Sequence, residues 1–320
     1  MTLTELRYIV AVARERHFGR AAEACFVSQP TLSVAIKKLE EELEVKLFER
    51  GGNEVSVTAL GADIVRQAQI TLDSAAAIKE LARRGKDPLA GALRLGIIYT
   101  IGPYLLPPLV REAIARVPQM PLMLQENFTV KLLEMLRTGE IDCAILAEPF
   151  PDTNLALAPL YDEPFVVAVP GHHPLAQRTS ISSAELRDET MLLLGTGHCF
   201  RDQVLDVCPE FARPAGFGAG SGSGDDMRRS FEGSSLETIK HMVASGMGIT
   251  VLPLLSVPRS PVPTHADGVP LLHTLPFADP VPTRRIVLAW RRSFTRFEAI
   301  AALRNAIHAC ELPGVNWLRT

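Results

Sequence analysis

The stretch AAEACFVSQPTLSVAIKKLEEELEVKLFER, residues 21–50, decides the fold of the N-terminal part of the chain. Its alanine-rich beginning predicts a short helix that a second helix can approach closely. Ser28 is a favourable N-cap for that second helix, and Pro30 lies in its first turn, where the missing N–H is tolerated. Apolar residues at spacings of three and four predict the buried face of the second helix: Leu32, Ile36 and Leu39.

The outward face of this second helix carries short polar and basic side chains: Gln29, Thr31, Ser33, Lys37 and Lys38. Such side chains near a helix N-terminus reach base edges and phosphates in the major groove of DNA. Further along, Arg50, a Gly51-Gly52 turn and the strand-like EVSVT at 54–58 predict a winged hairpin whose arginine reaches the DNA backbone. An ordinary three-helix bundle with a polar face remains the alternative, because residues 1–60 hold eight basic and nine acidic side chains.

The chain has 320 residues, of which 47% are hydrophobic and 22% charged, and its formal net charge is −3. This length suits two or three domains, and this composition excludes a disordered, collagen-like or disulfide-scaffold protein. Charges interrupt the first residues, and no apolar run approaches the ~18 residues of a membrane span, so neither a signal peptide nor a membrane segment is expected. Five widely spaced cysteines without a CxxC pair favour a cytoplasmic protein with reduced thiols.

Three zones of composition divide the chain. Residues 1–58 are rich in helix formers, the stretch from Thr58 to about Arg84 predicts one long helix, and the remainder from about Gly91 alternates β-branched runs with helical patterns. That alternation is typical of βαβ units and predicts an α/β domain with a mainly parallel sheet. Its expected strands are 92–98, 121–127, 142–148, 164–170, 190–195, 248–253 and 285–290.

The long helix begins after Thr58, a favourable N-cap, and ends before Gly85 and Pro88. It carries a sparse, alanine-rich apolar stripe. A stripe of this kind lies either on the core of its own domain or against the same helix of a second subunit. Its position between two domains favours the second interpretation, and hence a dimer. The stripe consists of Leu60, Ile64, Ala68, Leu72 and Ala75.

Residues 21–50 closely resemble the winged helix-turn-helix of LysR-type transcriptional regulators, and SQPTLS at 28–33 is the most specific part of the match. The resemblance implies a DNA-binding domain at 1–58, a dimerising linker helix at 59–88, and a regulatory domain at 89–320. The regulatory domain is expected to be a two-lobed α/β unit similar to a periplasmic binding protein. Its lobe I covers about 89–162 and 269–320, and its lobe II about 163–268.

The same resemblance implies the partners of the chain. They are an operator or promoter in double-stranded DNA, RNA polymerase, and further copies of the chain in a homotetramer built as a dimer of dimers. No cofactor, metal ion or membrane is expected, and no enzymatic activity. The residues expected at DNA are Ser28, Gln29, Pro30, Thr31, Ser33, Lys37 and Arg50.

A second stretch, LLLGTGHCFRDQVLDVC at 192–208, resembles the OxyR subgroup of peroxide sensors within that family, and SLETIKHMVASGMGITVLP at 235–253 extends the match. The resemblance implies that Cys199 is the thiol that reacts with hydrogen peroxide and that Cys208 resolves it in a reversible disulfide. The implied output is control of oxidative-stress genes. A thiol reductant of the glutaredoxin or thioredoxin type is implied as a further partner.

The residues around Cys199 support this chemistry. A glycine-containing turn predicts a helix that begins near Cys199, and the positive end of a helix dipole favours the reactive thiolate. His198 and Arg201 are expected to add positive charge, whereas Asp202 opposes the thiolate unless it pairs with one of them. The cysteines in apolar helix or strand patterns are expected to be structural: Cys25, Cys143 and Cys310.

Three more pocket residues follow from the resemblance. Thr100 and Thr129 match positions where the subgroup places hydroxyls near the thiol, although each fits equally well as a helix cap. Arg284 matches an arginine that stabilises the thiolate and polarises the departing peroxide oxygen, with Arg285 as the alternative register. The residues expected to carry the chemistry are therefore Cys199, Cys208, His198, Thr100, Thr129, Asp202 and Arg284.

The reduced switch is expected to be a helix at 199–207 that buries Phe200, Val204 and Val207. Nine residues of α-helix advance about 13–14 Å, whereas a disulfide needs Cα atoms within about 4.4–6.8 Å. The helix must therefore unfold before the bond forms. The connection at 216–233, with its glycine-rich stretch at 216–224, is longer and richer in glycine than is usual in the subgroup, and it is expected to alter how fast the resolving step relaxes.

Three other functions compete with this prediction. A LysR-type regulator that binds an organic metabolite between its lobes predicts no special reactivity at Cys199. A thiol peroxidase uses the same chemistry, but the DNA-binding segment makes sensing the more useful output. A purely structural domain is disfavoured by the first sixty residues.

Overall fold

The N-terminal part of the molecule is a three-helix unit with a β-hairpin, which confirms the predicted winged helix-turn-helix. The computed structural model describes residues 1–51, 54–83, 89–151, 154–211, 230–257 and 263–318. The N-terminal elements are α1 (Leu3–Glu15), α2 (Phe18–Ala24), α3 (Gln29–Leu43), β1 (Phe48–Gly51) and β2 (Glu54–Val57). The two strands pair antiparallel, and the hairpin tip at Gly52 lies outside the described residues.

Helix α3 begins where its sequence signals place it. The Ser28 side chain accepts a hydrogen bond from the Thr31 backbone N–H at 3.3 Å, and Pro30 occupies the first turn. The apolar face then packs into the core shared with α1 and α2. Its buried residues are Leu32, Ile36 and Leu39.

The predicted linker helix is α4 (Ala59–Arg83). Thr58 caps its start, since the Thr58 Oγ1 accepts a hydrogen bond from the Gly61 N–H at 2.9 Å. The stop signals at Gly85 and Pro88 lie outside the described residues.

The apolar stripe on α4 is divided between two environments. Ala68 is buried in the N-terminal core, and Ile64 and Leu72 are half-buried there, so part of the stripe packs on its own domain. Leu60 and Ile78 are 52% and 70% exposed. They lie on the same side of α4, because their separation corresponds to about five turns. The dimer stays a prediction that depends on this exposed side.

The remaining described residues form two α/β lobes. Their first elements are β3 (Leu93–Ile98), α5 (Gly102–Arg116), β4 (Leu122–Asn127), α6 (Thr129–Arg137), β5 (Cys143–Ala147) and β6 (Leu155–Pro170). The chain continues through β7 (Met191–Leu194), α7 (Cys199–Val207), β8 (Ser230–Gly233), α8 (Leu236–Ala244), β9 (Thr250–Pro253) and β10 (Leu272–Pro276). It ends with β11 (Thr283–Arg291), α9 (Phe297–His308) and β12 (Asn316–Trp317). The glycine-rich stretch at 216–224 lies outside the described residues.

The main sheet is mixed, so the predicted mainly parallel sheet is wrong. Its strand order is β10-β6-β11-β5-β3-β4, with β9 and β12 also paired to β6. Only β3–β4, β3–β5 and, in a separate two-stranded sheet, β7–β8 are parallel among the described pairs. The long strands β6 and β11 pair antiparallel with their neighbours. Strand β6 runs directly from lobe I into lobe II, whereas a parallel neighbour needs a crossover connection, usually a helix. All seven predicted strands are present, whereas the first half of β6 and the strands β8, β10 and β12 were not predicted.

Strand β6 contributes to both lobes. From Leu155 to Pro164 it pairs with β11, and from Val166 to Pro170 it pairs with β10. Each lobe has its own hydrophobic core, and residues at the start of α7 lie between the two: Cys199 packs against the core of lobe I, whereas Phe200 is buried in lobe II. No helix in the described part of the chain is long and apolar enough to span a membrane.

Candidate functional site

The switch helix predicted at 199–207 is α7, with the same bounds. Phe200 and Val204 are fully buried in lobe II, as predicted, whereas Val207 is only half-buried. All five cysteines are among the described residues and none forms a disulfide, so α7 is in its reduced arrangement.

Two of these cysteines lie at opposite ends of α7. Cys199 is the first residue and is half-buried, whereas Cys208 is the C-cap and is fully buried. Their Cα atoms are about 13–14 Å apart along the helix, at least twice the separation that a disulfide allows. Burial, with a smaller contribution from Glu210, raises the pKa of Cys208 to about 12. Cys208 is thus protonated and out of reach of Cys199 while α7 is intact.

A small pocket lies beside Cys199. Its volume is about 170 Å³ even when the space at its mouth is included. Sites for drug-sized ligands measure ~300–1,000 Å³, so this pocket suits a molecule of a few heavy atoms. It is lined by Ile98, Tyr99, Thr100, Asn127, Phe128, Thr129, Gly197, His198 and Cys199.

Two buried threonine hydroxyls line this pocket. The Thr100 Oγ1 accepts a hydrogen bond from Arg284 Nη1 at 2.9 Å, so its own proton is available to another acceptor. The Thr129 Oγ1 is buried and has no hydrogen-bond partner within the described parts of the chain. Neither threonine is the N-cap of the helix beside it, since Ile101 and Phe128 hold those positions. An unpaired buried hydroxyl is unfavourable, and a small polar ligand in the pocket would satisfy it.

Arg284 holds Thr100 in place from behind the pocket. Its guanidinium donates to the Thr100 carbonyl at 3.0 Å and to Glu163 Oε2 at 2.7 and 2.9 Å, and it lies 5.1 Å from the Phe200 ring centroid. Arg284 and Glu163 are both almost fully buried. Arg285, the alternative register, pairs instead with Asp162 near the surface at 2.9 Å.

Glu163 is a site residue that the sequence patterns do not predict. It neutralises Arg284, and its other oxygen accepts a hydrogen bond from the Leu255 N–H at 2.8 Å. The only signal for it was the pair of acidic residues Asp162 and Glu163 inside the otherwise apolar run LYDEPFVVAVP. The remaining pocket residues that were missed are Ile98, Tyr99, Asn127 and Phe128.

Two of the charges predicted beside Cys199 are not there, because His198 is neutral and Asp202 lies outside the pocket. His198 is buried, and this burial lowers its pKa, with a backbone hydrogen bond at Ser234 acting in the opposite direction. Its imidazole is therefore neutral near pH 7 and packs edge-on against Phe128 at 4.8 Å between ring centroids. Arg201 donates to the Leu194 carbonyl at 3.2 Å. Asp202 is exposed on α7 and does not line the pocket.

The other three cysteines occupy apolar surroundings. Cys143 and Cys310 are buried in the core of lobe I, and Cys25 is half-buried in the N-terminal core. Burial raises the pKa of the Cys143 and Cys25 thiols, and it raises the pKa of Cys310 to about 11. Thiols held in their protonated form are poor nucleophiles, in keeping with the structural role predicted for them.

The residues predicted to contact DNA start at the N-terminal end of α3, where Ser28 is the N-cap. Ser28, Gln29, Pro30 and Thr31 are exposed and Ser33 is half-buried. The Ser28 and Thr31 hydroxyls lie 2.8 Å apart. Lys37 is exposed and lies 3.6 Å from Glu41 one turn later. The side chain of Arg50 lies outside the part of the chain that the structure describes.

Two family models together match most of the chain. The model "Bacterial regulatory helix-turn-helix protein, lysR family" matches residues 3–62, and "LysR substrate binding domain" matches residues 86–310. A curated relative in Escherichia coli strain K12, "DNA-binding transcriptional dual regulator OxyR", is 40% identical and covers 97% of this chain and 95% of its own. This chain belongs to the LysR family, in its OxyR branch.

Solved OxyR structures share this fold. A full-length OxyR variant from Pseudomonas aeruginosa is 50% identical, with a TM-score of 0.77, covering 97% of this chain and 99% of that one. A Corynebacterium glutamicum OxyR cysteine mutant with H₂O₂ bound is 33% identical, with a TM-score of 0.61, covering 96% of this chain and 91% of that one. The helix-turn-helix and the two-lobed domain therefore occur together in this branch of the LysR family, as in this chain.

Proposed function

We propose that this chain is a transcription regulator that senses hydrogen peroxide at Cys199 and stores the signal as a Cys199–Cys208 disulfide. The observation that carries this proposal is the placement of the two thiols at opposite ends of α7, one beside a small pocket with two threonine hydroxyls and one buried. The H₂O₂-bound OxyR from Corynebacterium glutamicum supports peroxide as the ligand.

The first step is nucleophilic attack on peroxide. The Cys199 thiolate attacks one peroxide oxygen, the O–O bond breaks, and the leaving hydroxide takes up a proton to become water. Cys199 becomes a sulfenic acid. The Thr129 and Thr100 hydroxyls donate hydrogen bonds to the bound peroxide. Arg284 acts through Thr100 as a positioning residue, because Thr100 lines the pocket and Arg284 does not.

The second step requires α7 to unfold. Cys208 then loses its proton and attacks the Cys199 sulfur, the sulfenic oxygen leaves as water, and the disulfide closes. The closed bond keeps Phe200 and Val204 from returning to their positions in the core of lobe II. Two-electron reduction by a glutaredoxin- or thioredoxin-type dithiol restores both thiols and lets α7 refold.

The regulatory output is proposed to reach an operator and RNA polymerase through the N-terminal domain. The exposed side of α4 at Leu60 and Ile78 is the surface that we assign to the dimer, and two dimers form the tetramer. Of the residues predicted at DNA, Gln29, Thr31 and Ser33 are proposed to contact base edges. Replacing these three with alanine is expected to remove ~1–3 kcal/mol of base discrimination for each lost contact. Unchanged operator binding in a gel-shift titration contradicts this placement.

Peptide mapping by mass spectrometry tests the switch directly. Reduced protein is treated with micromolar peroxide, quenched with an alkylating reagent, and digested. A Cys199–Cys208 linkage is expected, with Cys25, Cys143 and Cys310 alkylated only after denaturation. A peroxide-dependent change in operator footprint without that linkage contradicts the proposal.

A further inference from the structure

The carboxylate of Asp73 joins the linker helix α4 to lobe I. Its Oδ2 accepts hydrogen bonds from Arg291 Nε and from Ser293 Oγ, both at 2.8 Å. Its Oδ1 accepts from Gln69 Nε2, one turn earlier on α4, at 2.9 Å. The charged side chains of this contact are largely withdrawn from solvent, with 15% of Asp73 and 9% of Arg291 exposed. The contact is therefore unlike the exposed Asp63–Arg66 pair on the same helix.

Arg291 also binds the end of α6. Its Nη1 donates to the Leu136 carbonyl at 2.5 Å and to the Ile141 carbonyl at 2.9 Å, on either side of the turn that follows this helix. Gly139 lies in that turn with φ +70°, and a Cβ there would come within 2.6 Å of Gln69 Nε2. The linker helix therefore contacts the end of α6 through a charged pair and through close packing against a glycine.

Two elements that reach this junction begin at the peroxide pocket. Helix α6 starts with Thr129, whose buried hydroxyl lines the pocket, and ends about 12 Å away at the carbonyls that bind Arg291. Strand β11 carries Arg284, which holds Thr100, and ends about 23 Å further on with Arg291 itself. One helix and one strand thus connect the pocket to the same buried pair.

We propose that Asp73 and Arg291 are the positioning residues that couple the sensor to the DNA-binding domain, an inference that rests on the proposed function. A buried arginine that loses its carboxylate becomes an uncompensated charge, so the pair resists separation. A displacement of α6 or β11 on oxidation is therefore passed to α4, which leads directly into the helix-turn-helix.

The variant Asp73→Asn tests this coupling, with Asp63→Asn as the matched control on the same helix. Both are expected to form the Cys199–Cys208 disulfide at the wild-type rate, measured by quenched alkylation. In Asp73→Asn the ratio of operator affinities between oxidised and reduced protein is expected to move toward one by about fivefold or more. The peroxide-induced change in footprint is expected to shrink with it, whereas Asp63→Asn keeps the wild-type ratio.

A second variant, Ser293→Ala, and the footprint of the wild-type protein make the outcome decisive. Ser293→Ala removes one donor to Asp73 and leaves the ion pair, so a smaller loss in the same direction is expected. If both Asp73→Asn and Ser293→Ala keep the wild-type ratio of operator affinities between oxidised and reduced protein, the coupling is overturned. Slower disulfide formation in Asp73→Asn also overturns it, because it indicates a structural role only. A wild-type protein that shows no peroxide-dependent footprint contradicts the proposed function instead.

Discussion

The two ends of α7 have opposite surroundings. At its N-terminal end, Cys199 is half-buried beside a small pocket lined by the Thr129 hydroxyl, which has no hydrogen-bond partner among the described residues. At its C-terminal end, Cys208 is fully buried in the core of lobe II, and this burial raises the pKa of its thiol to about 12. A small molecule in the pocket can reach the first thiol but not the second. In the proposed switch, burial therefore determines the order of the two oxidation steps, because the second thiol is exposed only after the helix has opened.

Removal of either thiol is expected to have the largest effect. Cys199→Ser leaves no nucleophile at the pocket, so peroxide consumption and the change in operator footprint are both lost. Cys208→Ser retains the thiol beside the pocket and still forms a sulfenic acid at Cys199, but it does not lock the oxidised conformation. Trapping with a sulfenic-acid reagent and footprinting measure the two effects separately. A peroxide response in Cys199→Ser contradicts the assignment of the two ends.

Thr129→Val tests the pocket beside the Cys199 end of α7. The substitution keeps the shape of the side chain and removes a hydroxyl that has no protein partner among the described residues. Loss of its hydrogen bond to peroxide, worth ~1–3 kcal/mol, is expected to slow sulfenic-acid formation about tenfold to a hundredfold. The thermal stability of the reduced protein should stay the same or rise. A wild-type rate of sulfenic-acid formation in stopped-flow experiments would show that the Thr129 hydroxyl does not bind peroxide.

Val204→Ala loosens the buried side of α7. Val204 is fully buried, so the loss of two methyl groups is expected to lower the free energy of unfolding by about 1–3 kcal/mol. Opening of α7 becomes easier, and the conversion of sulfenic acid to disulfide is expected to accelerate up to about tenfold. Val207→Ala is the matched control, since Val207 is only half-buried. Equal acceleration in both variants would show that core packing does not restrain the helix.

The stability of the reduced protein in alkali gives the smallest and most specific test. The pKa of Cys208 is raised from 9.0 to about 12 in the folded protein, so the unfolded chain loses this proton first. The resulting stability is present below pH 9 and is lost as pH rises toward 12. Cys208→Ser is expected to flatten the decline by up to about 1.4 kcal/mol per pH unit. Urea unfolding between pH 8.5 and 10.5 measures this slope. Equal slopes for the wild type and Cys208→Ser would show that the Cys208 thiol is more exposed to solvent.

Local signals predict the parts of this molecule whose causes are local. The bounds of α7 and the cap of α3 at Ser28 follow from residues within a few positions of each helix end. The Arg284–Glu163 and Arg291–Asp73 pairs join residues separated by 121 and 218 positions, and no periodic pattern connects their members. The mixed sheet was missed for the same reason. Apolar runs identify strands but do not indicate whether two distant strands pair parallel or antiparallel.

The neutral state of His198 could not be predicted from its neighbours in the sequence. A histidine beside a cysteine suggests a positive charge, but the ring is buried against Phe128 and the burial lowers its pKa. Residue type indicates which charges are available, whereas solvent exposure decides which of them are present. The same distinction applies to Asp202, whose carboxylate faces solvent and not the pocket.

The length of α7 also gives the switch a memory. Nine helical residues hold the thiols about 13–14 Å apart, so the reduced fold and the disulfide are mutually exclusive. Once the proposed bond has formed, α7 cannot refold when the peroxide disappears, because only a chemical reduction releases it. In the proposed switch the duration of the response is therefore set by the supply of reductant, whereas its onset is set by the peroxide concentration. One short helix thus separates how quickly the protein responds from how long it remains active.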